Sequence, residues 1–170
     1  MTKPVLVALS CLMVTSSGVA AQTIVRLELG VGGGIGGVHA GPAFRLGTGV
    51  VVGPWGGFVR ASGHSGTQIG SVLGFPVQER LAEVGVLLTR RIVSRSAQQV
   101  LVGMGAGIAS ADRLNDRRDM ESVPVVVGVP FEVTWQFGDG RGFGVGLSGQ
   151  GHINPEVSFV ALVLSLTFGF

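Results

Sequence analysis

The sequence is poor in residues on which many enzymes and secreted domains depend. Its 170 residues include one cysteine, Cys11, and no tyrosine, and its only lysine is Lys3. Both Cys11 and Lys3 lie in a leader that we expect to be removed on export. Without cysteine, the mature chain is excluded from forming disulfides, thiolate metal sites and cysteine nucleophiles.

The first residues have the pattern of a secretory signal peptide. Lys3 supplies a positive charge, residues 5–14 form an apolar run, and residues 19–21 are small. The run is shorter than the roughly 20 residues of a membrane-spanning helix. We therefore predict a cleaved signal peptide at 1–21, Sec-type export, and one domain at 22–170.

Charge is scarce as well. Only 13% of the residues are charged, whereas about 25% is typical of soluble domains. Removing Lys3 from the 12 basic residues leaves 11 arginines against 10 acidic residues, so the mature net charge is 11 − 10 = +1. The arginines are scattered along the chain. A nucleic-acid-binding surface would cluster them, so nucleic acid is not an expected partner.

Long hydrophobic runs are also missing, although 46% of the residues are hydrophobic. No stretch after residue 22 has the 18 or more consecutive apolar residues that indicate a membrane-spanning helix. An exported chain with little charge and no such helix can still cross a membrane as a closed β-barrel. In a barrel the strands satisfy one another's backbone hydrogen bonds.

What the sequence has instead is alternation with a period of two, which indicates strands. In residues 123–137 all eight odd positions are apolar, and the even positions are mostly glycine, proline and polar residues. Pro130 within this segment lacks a backbone donor and predicts an irregular ladder or a bulge. Similar alternation divides the chain into eight segments near the 9–11 residues of a tilted membrane strand. These lie near 24–34, 41–51, 55–63, 80–93, 99–110, 123–137, 142–151 and 157–170.

The connections between these segments alternate in length. Three are short turns, near 53–54, 94–97 and 138–141, and the last has Asp-Gly at its centre, as hairpins favour. The two longest connections, 63–79 and 111–122, lie at the opposite end. Membrane barrels have short periplasmic turns and longer external loops. We therefore name the turn end the inner end and the loop end the outer end.

The last segment, VSFVALVLSLTFGF, closes the sequence on an aromatic residue. With the export signal, the strand number and the loop asymmetry, it makes the chain resemble the small eight-stranded outer-membrane barrels of the OmpA/OmpX type. The resemblance implies an all-β fold, an eight-stranded antiparallel up-and-down transmembrane β-barrel. It also implies an integral position in the outer membrane of a Gram-negative bacterium.

The same resemblance implies how the protein is assembled and what surrounds it. The barrel-assembly machinery is expected to recognise the alternating residues of the last strand, namely Leu162, Leu164, Leu166, Phe168 and Phe170. Outer-membrane lipid and lipopolysaccharide are the other expected partners. The barrel is expected to be monomeric.

Six charged residues fall on the strand faces that would line the lumen: Arg26, Glu28, Arg45, Arg60, Glu83 and Glu132. Isolated buried charges are very costly, and eight strands leave room only for side chains or one small ligand. The favoured interpretation is a lumen plugged by arginine–carboxylate pairs, in a barrel with a structural or surface-interaction role. A narrow channel for small solutes is the alternative.

Aromatic residues gather near the inner end of their strands. The residues expected to lie at the inner membrane interface are Trp55, Trp135, Phe137 and Phe143. Together with Phe168 and Phe170 they would form an aromatic girdle, as membrane barrels have at their interfaces.

A lipid A-modifying enzyme is the third interpretation. The three histidines, His39, His64 and His152, each fall near the outer end of a strand, where we expect solvated loop or rim positions. The surroundings of His152 resemble those in outer-membrane lipid A deacylases, but Asn154 stands where that family has its serine nucleophile. Ser148 shares a strand face with His152 at about 13 Å, taking roughly 3.3 Å per residue. We therefore expect no catalytic residues, no metal site and no cofactor.

Overall fold

A computed structural model of the chain describes residues 23–37, 39–68, 79–95, 98–114, 120–138 and 141–170. The predicted signal peptide at 1–21 lies outside the described residues. Each of the eight predicted segments is a strand: β1 (Thr23–Gly36), β2 (His39–Val52), β3 (Trp55–Gln68), β4 (Glu79–Arg95), β5 (Gln98–Leu114), β6 (Met120–Phe137), β7 (Gly142–Ile153) and β8 (Phe159–Gly169). The described residues include no helix that is long and apolar enough to cross a membrane.

The strands pair in chain order, and the sheet closes on itself. All neighbouring strands are antiparallel, and β1 pairs with β8 to complete the barrel. In this last ladder Val31 lies opposite Leu164. Val25 and Phe170 extend it through two backbone hydrogen bonds of 2.9 and 3.2 Å. The predicted fold class, an eight-stranded antiparallel up-and-down barrel, is confirmed.

The outer surface of the barrel is apolar and its interior is largely polar. Along β8, Leu162 and Leu164 are 58% and 57% exposed, whereas Ser165 and Thr167 are buried. Large apolar side chains are exposed on the outside of the other strands too. The buried positions carry arginine, glutamate, glutamine and hydroxyl side chains, beside a smaller apolar set that includes Leu81, Phe159 and Val163. A continuous apolar surface of this kind is stable against lipid but not against water.

Several strands extend further towards the outer end than the alternation predicted. β3 continues to Gln68, β5 continues to Leu114, and β6 begins at Met120. The ends of the predicted loops at 63–79 and 111–122 are therefore paired strands, and the predicted loop boundaries were wrong there. The physical reason is that ladder hydrogen bonds join backbone groups, so polar and charged residues can continue a strand beyond the lipid.

The β5–β6 hairpin extends beyond the neighbouring strand β7. β7 pairs with β6 from Val129 inward, whereas β5 continues along β6 towards the outer end. We name residues 107–114 and 120–128 the raised hairpin. Within the described part of the chain, residues 120–128 have no strand on their β7 side. Asn154 covers part of this edge, because its Nδ2 donates to Val127 O at 2.5 Å.

Pro130 interrupts the β5–β6 ladder without shifting its register. The paired residues on either side of it keep the same offset, and the register shift lies further out, between Ala109 and Ala111. The irregularity predicted at Pro130 is thus a gap in pairing and not a bulge. Its ring is buried, and glycines leave the space: a Cβ on Gly85 or Gly107 would lie 2.9 or 3.3 Å from Pro130 Cγ.

Candidate functional site

The six charged residues predicted to face the lumen all lie inside the barrel. Each is at most 3% exposed, and five of the eight strands contribute them. Three are arginines and three are glutamates, so their formal charges balance. Together with Gln136, we name this set the lumen network: Arg26, Glu28, Arg45, Arg60, Glu83 and Glu132.

In the inner part of the lumen network, Arg26 and Arg45 share Glu28. Arg26 Nε lies 4.0 Å from Glu28 Oε1, and Arg45 Nη2 pairs with Glu28 Oε2. Arg26 also donates to Gln136 Oε1. Gln136 Nε2 in turn donates to Thr167 Oγ1 at 2.8 Å. These contacts join β1, β2, β6 and β8 across the lumen.

In the middle of the network, Glu132 lies between two arginines. Its Oε2 is 3.1 Å from Arg45 Nη2 and 3.4 Å from Arg60 Nη1. Arg60 Nη2 donates to both carboxylate oxygens of Glu83, at 2.8 and 3.0 Å. The contacts therefore form one continuous chain from Gln136 to Glu83.

Neutral groups supply further partners around Arg60. Its Nη1 and Nη2 donate to the carbonyl oxygens of Phe131 and Gly151, at 3.1 and 3.2 Å. Ser62 Oγ donates to Glu83 Oε2 at 3.3 Å. Additional hydrogen bonds of this kind offset part of the desolvation cost of a buried ion pair.

The predicted site residues did not include the neutral polar residues that line the lumen beside the network, although the alternation places Thr134 on the lumen face. Thr134 Oγ1 lies 2.9 Å from Ser148 Oγ, which lies 3.4 Å from Ser165 Oγ. Gln150, two residues after Ser148 on β7, is fully buried. The alternation was enough to predict their position. Glu132 and Thr134 are both even-numbered residues of β6, so the pattern that places Glu132 inside also places Thr134 inside.

Two of the three histidines are buried, so the predicted solvated positions were wrong for them. His64 is 2% exposed and its Nε2 lies 2.9 Å from Gly34 O. His152 is 1% exposed and its Nδ1 lies 3.7 Å from Glu83 Oε2. They are buried because the inward-facing positions of β3 and β7 continue almost to the outer end of the barrel.

His39 belongs to a separate cluster at the outer end. Its Nδ1 lies 3.3 Å from Oε2 of the buried Glu79, whose Oε1 accepts a hydrogen bond from Arg113 Nε at 2.8 Å. Arg113 Nη2 also donates to Glu156 O at 3.0 Å. The cluster therefore connects β2, β4, β5 and the loop between β7 and β8.

The surroundings of His152 do not form a nucleophile–base pair among the described residues. Ser148 bonds to the neighbouring hydroxyls of β6 and β8. Asn154 organises the β7–β8 loop, because its Oδ1 accepts from Glu156 N at 2.7 Å and from Val157 N at 3.3 Å. The part of the chain that is described also contains no group of three or more His, Cys, Asp or Glu residues placed to hold a metal ion.

The inner end carries aromatic residues on its outer surface. Four of them are between 44% and 60% exposed: Trp55, Trp135, Phe137 and Phe143. The rings of Trp135 and Phe137 lie 4.9 Å apart, and those of Phe143 and Phe168 lie 5.6 Å apart. Amphipathic and aromatic rings at this level are typical of a membrane–water interface.

A closed eight-stranded sheet with an apolar outer belt, an aromatic inner rim and a polar interior defines an integral outer-membrane β-barrel of the small kind. This architecture agrees with the predicted location, the outer membrane of a Gram-negative bacterium.

Solved structures of three such barrels are similar to this chain. Ail, the attachment invasion locus protein of Yersinia pestis, has a TM-score of 0.58 at 14% identity, covering 88% of this chain and 99% of that one. Neisserial surface protein A has a TM-score of 0.65 at 10% identity, covering 87% and 97%. The N-terminal β-barrel domain of Pseudomonas aeruginosa OprF has a TM-score of 0.60 at 11% identity, covering 88% and 99%.

The likeness to these proteins is one of fold. No protein-family model matches the sequence, and neither does any curated protein. The resemblance to OmpA/OmpX-type barrels is confirmed as a resemblance of fold.

Proposed function

We propose that this protein is a closed outer-membrane barrel with a structural or surface-interaction role, in which the lumen network acts as a plug. The observation that carries the proposal is the unbroken chain of contacts from Gln136 to Glu83 across the interior. A solute passing through the barrel would have to separate these buried pairs. Removing the partner of a buried charge is strongly unfavourable.

The balance of charge in the lumen network favours a plug over a channel. Selective pores line their path with charges of one sign or with carbonyl groups that face the ion. Here three arginines and three glutamates pair with one another, and none is more than 3% exposed. Their charges thus neutralise one another within the lumen and are not presented to a passing ion.

Bilayer recordings on the refolded full chain are expected to show no stable open state. Glu132→Ala should produce brief openings, because it removes the carboxylate that lies between Arg45 and Arg60. Glu156→Ala is the matched control, since this exposed residue lies in the β7–β8 loop. Large, stable currents through the unmodified protein would contradict the plug and support the narrow channel.

With the lumen closed, the outer end is the part of the barrel available to partners. The raised hairpin extends beyond β7 there, and among the described residues no strand lies beside residues 120–128 on their β7 side. A free edge can bind an extended segment of another protein by strand addition. The name of the similar protein Ail, an attachment invasion locus protein, agrees with a surface role of this kind.

Replacing residues 111–123 by an Asn-Gly turn is expected to remove the surface interaction while the barrel stays folded. The turn would join Ser110 to Pro124 and so remove the outer part of the raised hairpin, while the ladder from Ala109 and Val126 inward is kept. Bacteria displaying the unmodified protein and bacteria displaying the shortened variant would be compared for cell–cell aggregation and for adhesion to matrix-coated wells. Heat-modifiable gel migration checks the barrel. Equal aggregation and adhesion would contradict a role for the raised hairpin.

A further inference from the structure

A groove of about 600 Å³ lies on the outer surface across strands β1 to β5, towards the outer end. Its walls are outward-facing side chains: Val31, Pro42, Phe44, Ser65, Arg80, Ala82, Ser110 and Asp112. Four further lining residues, Gly32, Ala43, His64 and Leu81, occupy inward-facing positions of the same strands. The volume is within the range of roughly 300–1,000 Å³ found for small-molecule sites.

The groove exists because the outward positions of β3 and β4 are small at this level. Ala61, Gly63 and Ser65 succeed one another on the outward face of β3, and Ala82 of β4 lies opposite Gly63. The Phe44 ring from β2 covers Gly63, at the place where a Cβ would otherwise stand. On β8, by contrast, the outward positions carry valine and leucine. The apolar belt is therefore thinner over β3 and β4.

Arg80 stands at the outer end of the groove, on the same face of β4 as Ala82. Its partner in the β4–β5 ladder is Asp112, but Asp112 Oδ1 accepts a hydrogen bond from Ser122 Oγ at 2.6 Å. None of the described residues forms a hydrogen bond or ion pair with the Arg80 guanidinium. A guanidinium with no partner among the described residues, at the end of an apolar groove, suits an amphiphile with an anionic head and a hydrocarbon tail.

We propose that this groove binds one lipopolysaccharide molecule, with an acyl chain between Phe44 and Ala82 and a lipid A phosphate paired with Arg80. The lipid-facing position in the outer half of the barrel selects the occupant, because lipopolysaccharide forms the outer leaflet of this membrane. An acyl chain would also supply the contacts that the small side chains leave unmade. The proposal rests on the outer-membrane location, and it depends neither on the plug nor on the raised hairpin.

The test uses the full chain refolded in detergent, with purified lipid A as the probe and phosphatidylglycerol as the competitor. Native mass spectrometry would count the bound lipid. Ala82→Trp fills the groove, and Arg80→Gln removes the partner of the phosphate. The matched controls make the same changes elsewhere on the outer surface. These are Ala106→Trp on β5 and Arg90→Gln beside Trp55, whose ring centroid lies 5.2 Å from Arg90 Cζ.

We expect the unmodified protein to bind one lipid A about tenfold more tightly than phosphatidylglycerol. Ala82→Trp should weaken lipid A binding roughly tenfold and Arg80→Gln about fivefold, with both controls within about twofold. Equal weakening by the two tryptophan variants, no effect of Arg80→Gln, or equal affinity for phosphatidylglycerol would overturn the proposal. Arg80→Gln leaves the groove unfilled, so it decides the question if Ala82→Trp fails to fold. If the protein binds lipid A no more tightly than phosphatidylglycerol but still carries no current in a bilayer, the groove proposal fails and the plug proposal stands.

Discussion

Arg60→Ala is expected to lower the free energy of unfolding by about 3–5 kcal/mol, because it removes the shared partner of two buried carboxylates. Glu83 loses both of its hydrogen bonds to the guanidinium, and Glu132 keeps only its pair with Arg45. Urea titration of the refolded protein, followed by gel migration, measures the loss. Arg60→Ala breaks more contacts within the lumen network than Glu132→Ala does.

Two further variants show whether the loss of stability comes from the broken ion pairs or simply from the removal of an arginine. Arg80→Ala removes an exposed arginine that has no partner among the described residues, and its effect should stay within about 0.5 kcal/mol. Arg60→Ala combined with Glu83→Gln replaces the Glu83 carboxylate, which has lost its arginine partner, by a neutral amide. The double variant should therefore recover part of the lost free energy of unfolding. If Arg60→Ala unfolds at the same urea concentration as Arg80→Ala, the lumen network does not stabilise the barrel. The plug would then lack its physical basis.

Deleting Phe170 is expected to leave most of the chain unassembled in cells. The residue has two separable roles: its backbone pairs with Val25 at 2.9 and 3.2 Å, while its side chain is 81% exposed on the outside of the barrel. A side chain this exposed contributes little to packing, and we propose that it serves recognition by the barrel-assembly machinery, as the resemblance to small outer-membrane barrels implies. The measurement is the fraction of protein in the outer membrane with heat-modifiable migration.

Phe170→Ala tests the two roles of this residue separately. It keeps the backbone bonds to Val25 but removes the ring, so refolding in detergent should be normal while assembly in cells should fall almost as far as for the deletion. Val160→Ala is a matched control for loss of an exposed apolar side chain on the same strand, and it should assemble normally. Normal assembly of Phe170→Ala would contradict the proposed role of the aromatic ring.

The architecture was predictable because one periodicity controls both secondary structure and burial in a membrane barrel. Alternation in residues 123–137 and 157–170 identifies strands and also assigns each side chain to lipid or lumen. The same parity places Arg26, Glu28 and the other four charged residues on inward positions, which is where the structure has them. Nothing in these steps needs contacts between distant residues.

The pairing within the lumen was not predictable in the same way. Which arginine meets which glutamate depends on strand register and on the tilt of the strands, and alternation along a single strand contains neither. The position of Glu132 between Arg45 and Arg60 is an example. The burial of His64 and His152 was missed because strand ends were placed too early, and a shorter strand puts these residues at the rim.

The groove at Arg80 was missed for a further reason. Small residues on an outward face are uninformative in one strand, since glycine and alanine occur throughout this chain. Their effect appears only when Gly63 and Ala82 lie side by side in the β3–β4 ladder and Phe44 reaches across from β2. A depression in the surface is a property of neighbouring strands and not of any one of them.

The ladder between β1 and β8, which closes the barrel, also affects the order in which the strands pair during folding. All other neighbouring strands are consecutive in the chain, whereas pairs such as Arg26 and Gly169 join its two ends. Contacts between residues so distant in sequence form slowly, because the chain loses much conformational freedom before they provide any stability. The glycines of β1, including Gly32 and Gly34, also offer few side-chain contacts across the seam. We expect the hairpins to form first and the slowest kinetic phase to be the joining of β1 to β8.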